Sequence, residues 1–270
     1  SGLLEKLVTK LVPDAKKPES FAELDERLLT TPPIALDRCR KVAADMAITA
    51  VESIKGGMES LQNYTAELAE SIREKEEKTD HYEDILGTYL VKLSTKQAGE
   101  SASREAAKLL KVIGDYERVS DHAVNLLEAA EEMRDKELQF TEAAKKELAV
   151  IFAAVNEILD LSLAAFLEDD LENAFLVEPL EQVIDEIKEQ MRTCHIARMQ
   201  QGACSIDAGF VWSDILTDLE RTSDHCSNIA GCVTDVAHRN MNIHESLRKL
   251  RNDNDEFKVK YQEYAGKYSL

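Results

Sequence analysis

A block of eleven residues written twice constrains this chain more than anything else in it. Asp115-Tyr116-Glu117-Arg118-Val119-Ser120-Asp121-His122-Ala123-Val124-Asn125 returns as Asp218-Leu219-Glu220-Arg221-Thr222-Ser223-Asp224-His225-Cys226-Ser227-Asn228. Asp, Glu, Arg, Ser, Asp, His and Asn keep their offsets, each displaced by 103 residues. A fixed period carried by polar residues predicts an internal structural repeat. Apolar matches alone would report only a shared core face.

Both copies lie in helical sequence. Around the first, Leu109, Leu110, Val112, Ile113, Val119, Val124, Leu126 and Leu127 recur at three- and four-residue intervals. Positions four apart share a helix face, so Glu117, Asp121 and Asn125 form one oxygen-bearing stripe, and Glu220, Asp224 and Asn228 form the second. Stacked carboxylates repel, and are stable either splayed into water or bridged by a cation.

The bulk properties narrow the class. The chain has 270 residues, room for one large or two small domains. Only 6% are aromatic and Gly and Pro are few, which favours long helices and an all-α fold. A formal charge of −19 argues against nucleic acid and against unaided docking on anionic lipid. It suits a protein that gathers cations. No apolar run is seen that approaches the roughly 18–20 residues of a membrane span. Cys39, Cys194, Cys204, Cys226 and Cys232 contain no CxxC, so reduced thiols and a cytosolic setting are expected. The chain opens Ser1-Gly2 without Met, so a longer parent protein is expected.

In chain order, Leu3, Leu4, Leu7, Val8, Leu11 and Val12 share a face of a short helix opposite Lys6 and Lys10, followed by a proline-containing linker over 13–20. Thr31 before Pro32 is expected to cap helix one. Its apolar stripe runs Ala35, Cys39, Val42, Met46, Ala50, Ile54, Met58, Leu61. Helix two starts at Thr65 and runs to about Leu93; helix three spans about 101–133. The scheme then repeats. Thr141 caps a helix bearing Leu148, Ile151, Phe152, Val155, Leu159, Ser162 and Phe166; turns near 168–170 and 200–205 separate the next two; the last ends near His238. A polar helix is expected over 244–265. The predicted organisation is an N-terminal helix and linker (1–31), a three-helix unit (32–136), a second (137–240) and a C-terminal helix or tail (241–270). Short turns make neighbouring helices antiparallel.

The second helix of each unit carries its own acids: Glu76 and Asp80, followed by Asp84; Glu181 and Asp185, followed by Glu189. Each pair and its counterpart on helix three lie about 20 residues from the intervening turn, roughly 30 Å along the helix. Glu76, Asp80, Glu117 and Asp121 are therefore level across one hairpin, and Glu181, Asp185, Glu220 and Asp224 across the other. At roughly 8 Å and an effective dielectric near 20, each like-charge pair costs about 2 kcal/mol without a cation. An all-oxygen set suits iron, manganese, magnesium or calcium, and suits structural zinc poorly. The competing reading leaves these acids solvated. Asn125 and Asn228 are candidates to orient the carboxylates or lend a carbonyl oxygen. His122 and His225 each follow an Asp and point about 100° away from it, so they are read as packing or supporting groups, with metal ligation the lesser alternative. Arg118 and Arg221 are read as solvated or salt-bridged, with phosphate binding the lesser alternative. The Cys-His neighbours at 194–195 and 225–226 are taken as incidental.

The repeated Glu-Arg-x-x-Asp-His-x-x-Asn helix, following a Glu-xxx-Asp helix in a unit used twice, resembles the PhoU family over about residues 34–240. Family members usually have Gly where this chain has Ser120 and Ser223, a departure that bears on how closely the helices pack there. The stretch Leu24 to Leu36 resembles the join in bacterial sodium/phosphate cotransporters, which carry a PhoU-like cytosolic domain after their membrane helices. The resemblance implies two three-helix bundles related by a pseudo-twofold axis, with extra terminal helices. It implies divalent or trivalent metal clusters on the Glu/Asp-xxx-Asp motifs: Glu76, Asp80, Glu117, Asp121, Glu181, Asp185, Glu220 and Asp224. It further implies a non-enzymatic regulatory domain of a sodium-dependent phosphate transporter, on the cytoplasmic side of the membrane. Its expected partners are the transporter portion of its own parent chain and, in a homo-oligomer, its own copies, without nucleic acid. A carboxylate-bridged metalloenzyme and a purely structural scaffold are the alternatives.

Overall fold

The computed structural model describes residues 24–95, 100–238 and 255–270. The expected helix over 3–12, the linker over 13–20 and the first part of the expected C-terminal helix lie outside the described residues. A short 3-10 helix, Glu26–Thr30, leads into seven α-helices among the described residues. They are α1 (Pro32–Ser60), α2 (Ala66–Thr95), α3 (Glu100–Asp135), α4 (Glu142–Glu168), α5 (Leu171–Gln200), α6 (Ile206–His238) and α7 (Asp255–Lys267). The all-α fold of two tandem three-helix bundles is as the sequence predicts: α1–α3 pack together, and α4–α6 repeat the arrangement. The bundles join mainly along α3 and α6, with α1 against α4, while α7 lies on α5.

Local chemistry sets most boundaries. Thr141 accepts from the Ala144 N–H at 3.2 Å and starts α4, as expected. Thr65 accepts from the Leu68 N–H at 3.1 Å at the head of α2. Between α4 and α5 the chain reverses through Asp169, in the left-handed region at φ 51°, and Asp170 accepts from Glu172 and Asn173 to start α5. Thr31 departs from expectation. Pro32 opens α1, but the Thr31 hydroxyl makes no cap bond there; the short 3-10 helix brings the chain in with its own cap, Asp25 accepting from the Arg27 N–H at 2.8 Å.

The stripe Ala35, Cys39, Val42, Met46, Ala50, Ile54 and Met58 is buried, with Leu61 half-buried at its end. The full α4 stripe is buried as well. At Gly57, α1 meets α3 backbone to backbone: a Cβ there would lie 2.8 Å from the Ala123 carbonyl oxygen. One expectation needs correction. By length and composition α4 is apolar enough to span a membrane, with mean hydropathy 1.9 over its most apolar window. The structure packs it as the core helix of the second bundle, against α5 and α6, with half of that window buried. Polar residues interrupt that run without breaking it, which is why it escapes notice in the sequence.

Candidate functional site

The acid faces of α2 and α3 meet, as do those of α5 and α6. In the first bundle Glu76 is half-buried, and its carboxyl is pushed up by burial, then by the charges of Asp121 across the helix pair and of Asp80 one turn away. Burial raises Glu117 to about 7, reinforced by Asp121 and opposed by the Arg118 guanidinium; Glu83 adds further repulsion. Asp80 itself is exposed. Arg118 lies 3.4 Å from Glu117 and 3.3 Å from Asp121, a loose cover over the α3 acids.

Glu83 is a member of this face that the sequence pattern did not single out, Asp84 standing beside it. Asp84 instead lines a separate groove with Leu24, His81, Tyr89 and Lys92. On a helix, 76, 80 and 83 form an i, i+4, i+7 stripe, a signal present in the sequence. The second bundle has the same stripe at 181, 185 and 188, and there the third position is a lysine.

That change alters the second face. Lys188 Nζ lies 3.0 Å from Glu220 Oε1. Asp224 keeps part of its surface in solvent, but the protein packed around its carboxyl desolvates it and pushes it up, as do Glu220 and Asp185, with His225 and Lys188 pulling it back. Glu181 is buried. Glu189, like Asp84, turns elsewhere, 4.0 Å from Arg192. Both hairpins thus bring acids of neighbouring helices into mutual repulsion. Among the described residues, no three His, Cys, Asp or Glu side chains stand as a ready-made metal site. The donor chemistry nevertheless fits a hard cation, because the first face gathers oxygen donors whose charges oppose one another.

The remaining polar members of the repeat serve the join between the bundles. His122 Nδ1 lies 2.8 Å from Asp218 Oδ1, and the Asn125 amide donates to the same oxygen at 3.0 Å. Reciprocally, His225 Nδ1 lies 2.9 Å from Asp115 Oδ1, and the Asn228 amide donates to it at 3.4 Å. An ionised carboxylate only accepts, so each Nδ1 carries the proton. The two imidazoles sit 5.7 Å apart, centre to centre. This corrects the reading of Asn125 and Asn228: each holds a carboxylate, but the first Asp of the opposite repeat. Asp115 and Asp218 were visible as repeated residues, but a partner in the other repeat could not be read from helical spacing.

Beside this clamp lies a cavity of about 430 Å³ lined by Glu76, Arg118, Asp121, His122, Val124, Asn125, Arg221 and His225. The serines at the positions of family glycines are accommodated. Ser223 is buried and donates to the Glu220 carbonyl at 2.7 Å, while the buried Ser120 hydroxyl has no hydrogen-bond partner.

Comparison with known proteins gives one consistent result. The family described as "PhoU domain" matches residues 43–130 and 148–233, one copy in each bundle. A Thermotoga maritima protein named "Phosphate-specific transport system accessory protein PhoU homolog 1" is 25% identical over 185 residues, covering 68% of this chain and 79% of that protein. The crystal structure of PhoU from Pseudomonas aeruginosa superposes with a TM-score of 0.70 at 21% identity, covering 76% of this chain and 97% of that one. The phosphate transport system regulatory protein PhoU from Streptococcus pneumoniae gives 0.69 at 19% identity, covering 78% and 99%. The two structures share the fold.

Proposed function

This chain belongs to the PhoU family, and from that premise we propose that it is a regulatory, non-catalytic component of phosphate transport whose conformation is governed by metal ions on its acid faces. The repulsion across α2 and α3, of Glu76 by Asp121 and of Glu117 by Glu83, carries the reading. Glu76, Asp80, Glu117 and Asp121 would hold the ion in the first unit (32–136), and Glu181, Asp185, Glu220 and Asp224 in the second (137–240). A bound divalent or trivalent cation such as iron, manganese, magnesium or calcium supplies the positive charge that lets these helices stay together with their acids ionised. Glu83 reinforces the first face. In the second, Lys188 already neutralises Glu220, so a cation there must displace it.

Likeness to the T. maritima protein, whose name places it in phosphate-specific transport, and to the S. pneumoniae regulatory protein supports a role in phosphate transport. The sequence of Leu24 to Leu36 supports a narrower one: attachment to the membrane portion of a sodium-dependent phosphate transporter, with this chain on the cytoplasmic side. Metal would tie α2 to α3, and the transporter portion would sense the resulting shape of the bundle. Elemental analysis of the protein purified without chelator, followed by thermal unfolding before and after metal removal, tests this. Bound metal whose removal lowers Tm is expected. No bound metal, and no change in stability or shape on adding any of the four cations, would sink it.

A further inference from the structure

The cavity at the bundle seam is electrically lopsided. Arg118 and Arg221 occupy equivalent positions in the repeat and both line it, yet their surroundings differ. Arg118 has Glu117 at 3.4 Å and Asp121 at 3.3 Å. Arg221 makes no ion pair with another described residue, in a chain of net charge −19. Part of the difference lies next door. Glu220, the counterpart of Glu117, is drawn 3.0 Å from Lys188 and away from its neighbouring arginine. The cavity's two acids, Glu76 and Asp121, both come from the first bundle; their counterparts Glu181 and Asp224 do not line it. The acids of the cavity thus come from one bundle, and the guanidinium that lines it from the other bundle makes no ion pair with a described residue.

We propose that the seam cavity holds a binding site for a tetrahedral oxyanion such as inorganic phosphate, with Arg221 as its main anchor. The guanidinium offers parallel N–H donors matched to two oxygens of such an ion, at a permanent positive charge. Arg118 contributes second: its side chain is 62% exposed, and its long contacts with Glu117 and Asp121 cost little to loosen. The site lies where α3 meets α6, so an occupant would touch both bundles. It does not depend on the proposed metal, and it is tested on metal-stripped protein so that either reading can fail alone.

The test is calorimetric titration of the full chain, treated with chelator, with inorganic phosphate at constant ionic strength. Sulfate and O-phosphoserine are titrated in parallel. Saturable binding at one site per chain is expected. Arg221→Gln should weaken it about tenfold or more, Arg118→Gln by less, and Arg221→Lys should restore only part of the loss, since charge without the planar fork is an incomplete substitute. Tighter binding of O-phosphoserine, lost in the same variants, would assign the site to a phosphomonoester instead of the free ion and uphold the oxyanion chemistry. Arg221 is exposed, so its variants are expected to fold, and circular dichroism checks this. Absence of saturable binding, equal affinity in Arg221→Gln, or a larger loss in Arg118→Gln than in Arg221→Gln would overturn the proposal.

Discussion

The two bundles are near copies in the His–Asp–Asn clamp that joins them and differ on their acid faces. At the seam, each repeat gives an Asp that accepts from the other's His and Asn, and the distances nearly match: 2.8 and 2.9 Å to the two imidazoles. On the acid faces, one stripe reads Glu76, Asp80, Glu83 and the other Glu181, Asp185, Lys188. A duplicated helix hairpin has thus kept its adhesive residues in both copies, while one charge on each face has been set oppositely. The clamp works only if both halves supply it. The acid faces are chemically separate, so each can drift without disturbing the other.

The clamp should show the largest effects, and they should be equal. Asp115→Ala and Asp218→Ala each leave an imidazole and an amide without their acceptor at a mostly buried join, and should each cost about 2–3 kcal/mol in denaturant unfolding. A cost confined to one of them would break the symmetry at the seam.

The acid faces should respond in opposite directions. Lys188→Glu recreates the first stripe in the second bundle, and should raise metal affinity there about tenfold or more, read as added stoichiometry in manganese titration. Glu83→Lys should weaken the first site by a similar factor. If both variants leave stoichiometry and affinity unchanged, the seventh position of the stripe is irrelevant.

The metal-free protein should also depend on pH through Glu117, whose carboxyl is raised to about 7. Below an unfolded value near 4.5 both states are protonated and this group adds nothing. As pH rises from there through about 7, the folded state holds the proton longer, so stability falls and stays lower above 7. Glu117→Gln should remove that loss, gaining about 1–2 kcal/mol at pH 8 once solvent screening is allowed for. Glu220→Gln forfeits the Lys188 contact instead and should cost about 0.5 kcal/mol. Thermal melts across pH measure both.

The smallest contrast is between the serines. Ser223→Ala loses a buried bond to the Glu220 carbonyl and should cost about 1 kcal/mol or less. Ser120→Ala removes a buried hydroxyl with no partner and should be neutral or slightly stabilising.

The all-α class and the two tandem three-helix bundles were legible because they follow from periodicity, from the polar repeat and from short turns. The buried stripes of α1 and α4 appear almost residue for residue. Other features depended on what lies across a gap. His122 and Asn125 could be placed on a face, but their acceptor, Asp218, belongs to a helix of the other bundle. Arg221 shares its motif with Arg118, but Lys188 holds Glu220, and the Asp121 contact of Arg118 has no counterpart at Arg221. Glu83 and Lys188 could have been found by extending the acid stripe one further turn at i+7 in place of i+8, where Asp84 and Glu189 stand and turn away.

If a cation holds the repelling carboxylates together, it should bind more strongly between α2 and α3 than between α5 and α6, where Lys188 already pairs with Glu220. Anomalous diffraction from crystals grown with limiting manganese decides this. A peak is expected beside Glu76, Asp80, Glu117 and Asp121, with a weaker peak or none beside Glu181, Asp185, Glu220 and Asp224. Equal peaks on both faces, or none on the first, would rule it out.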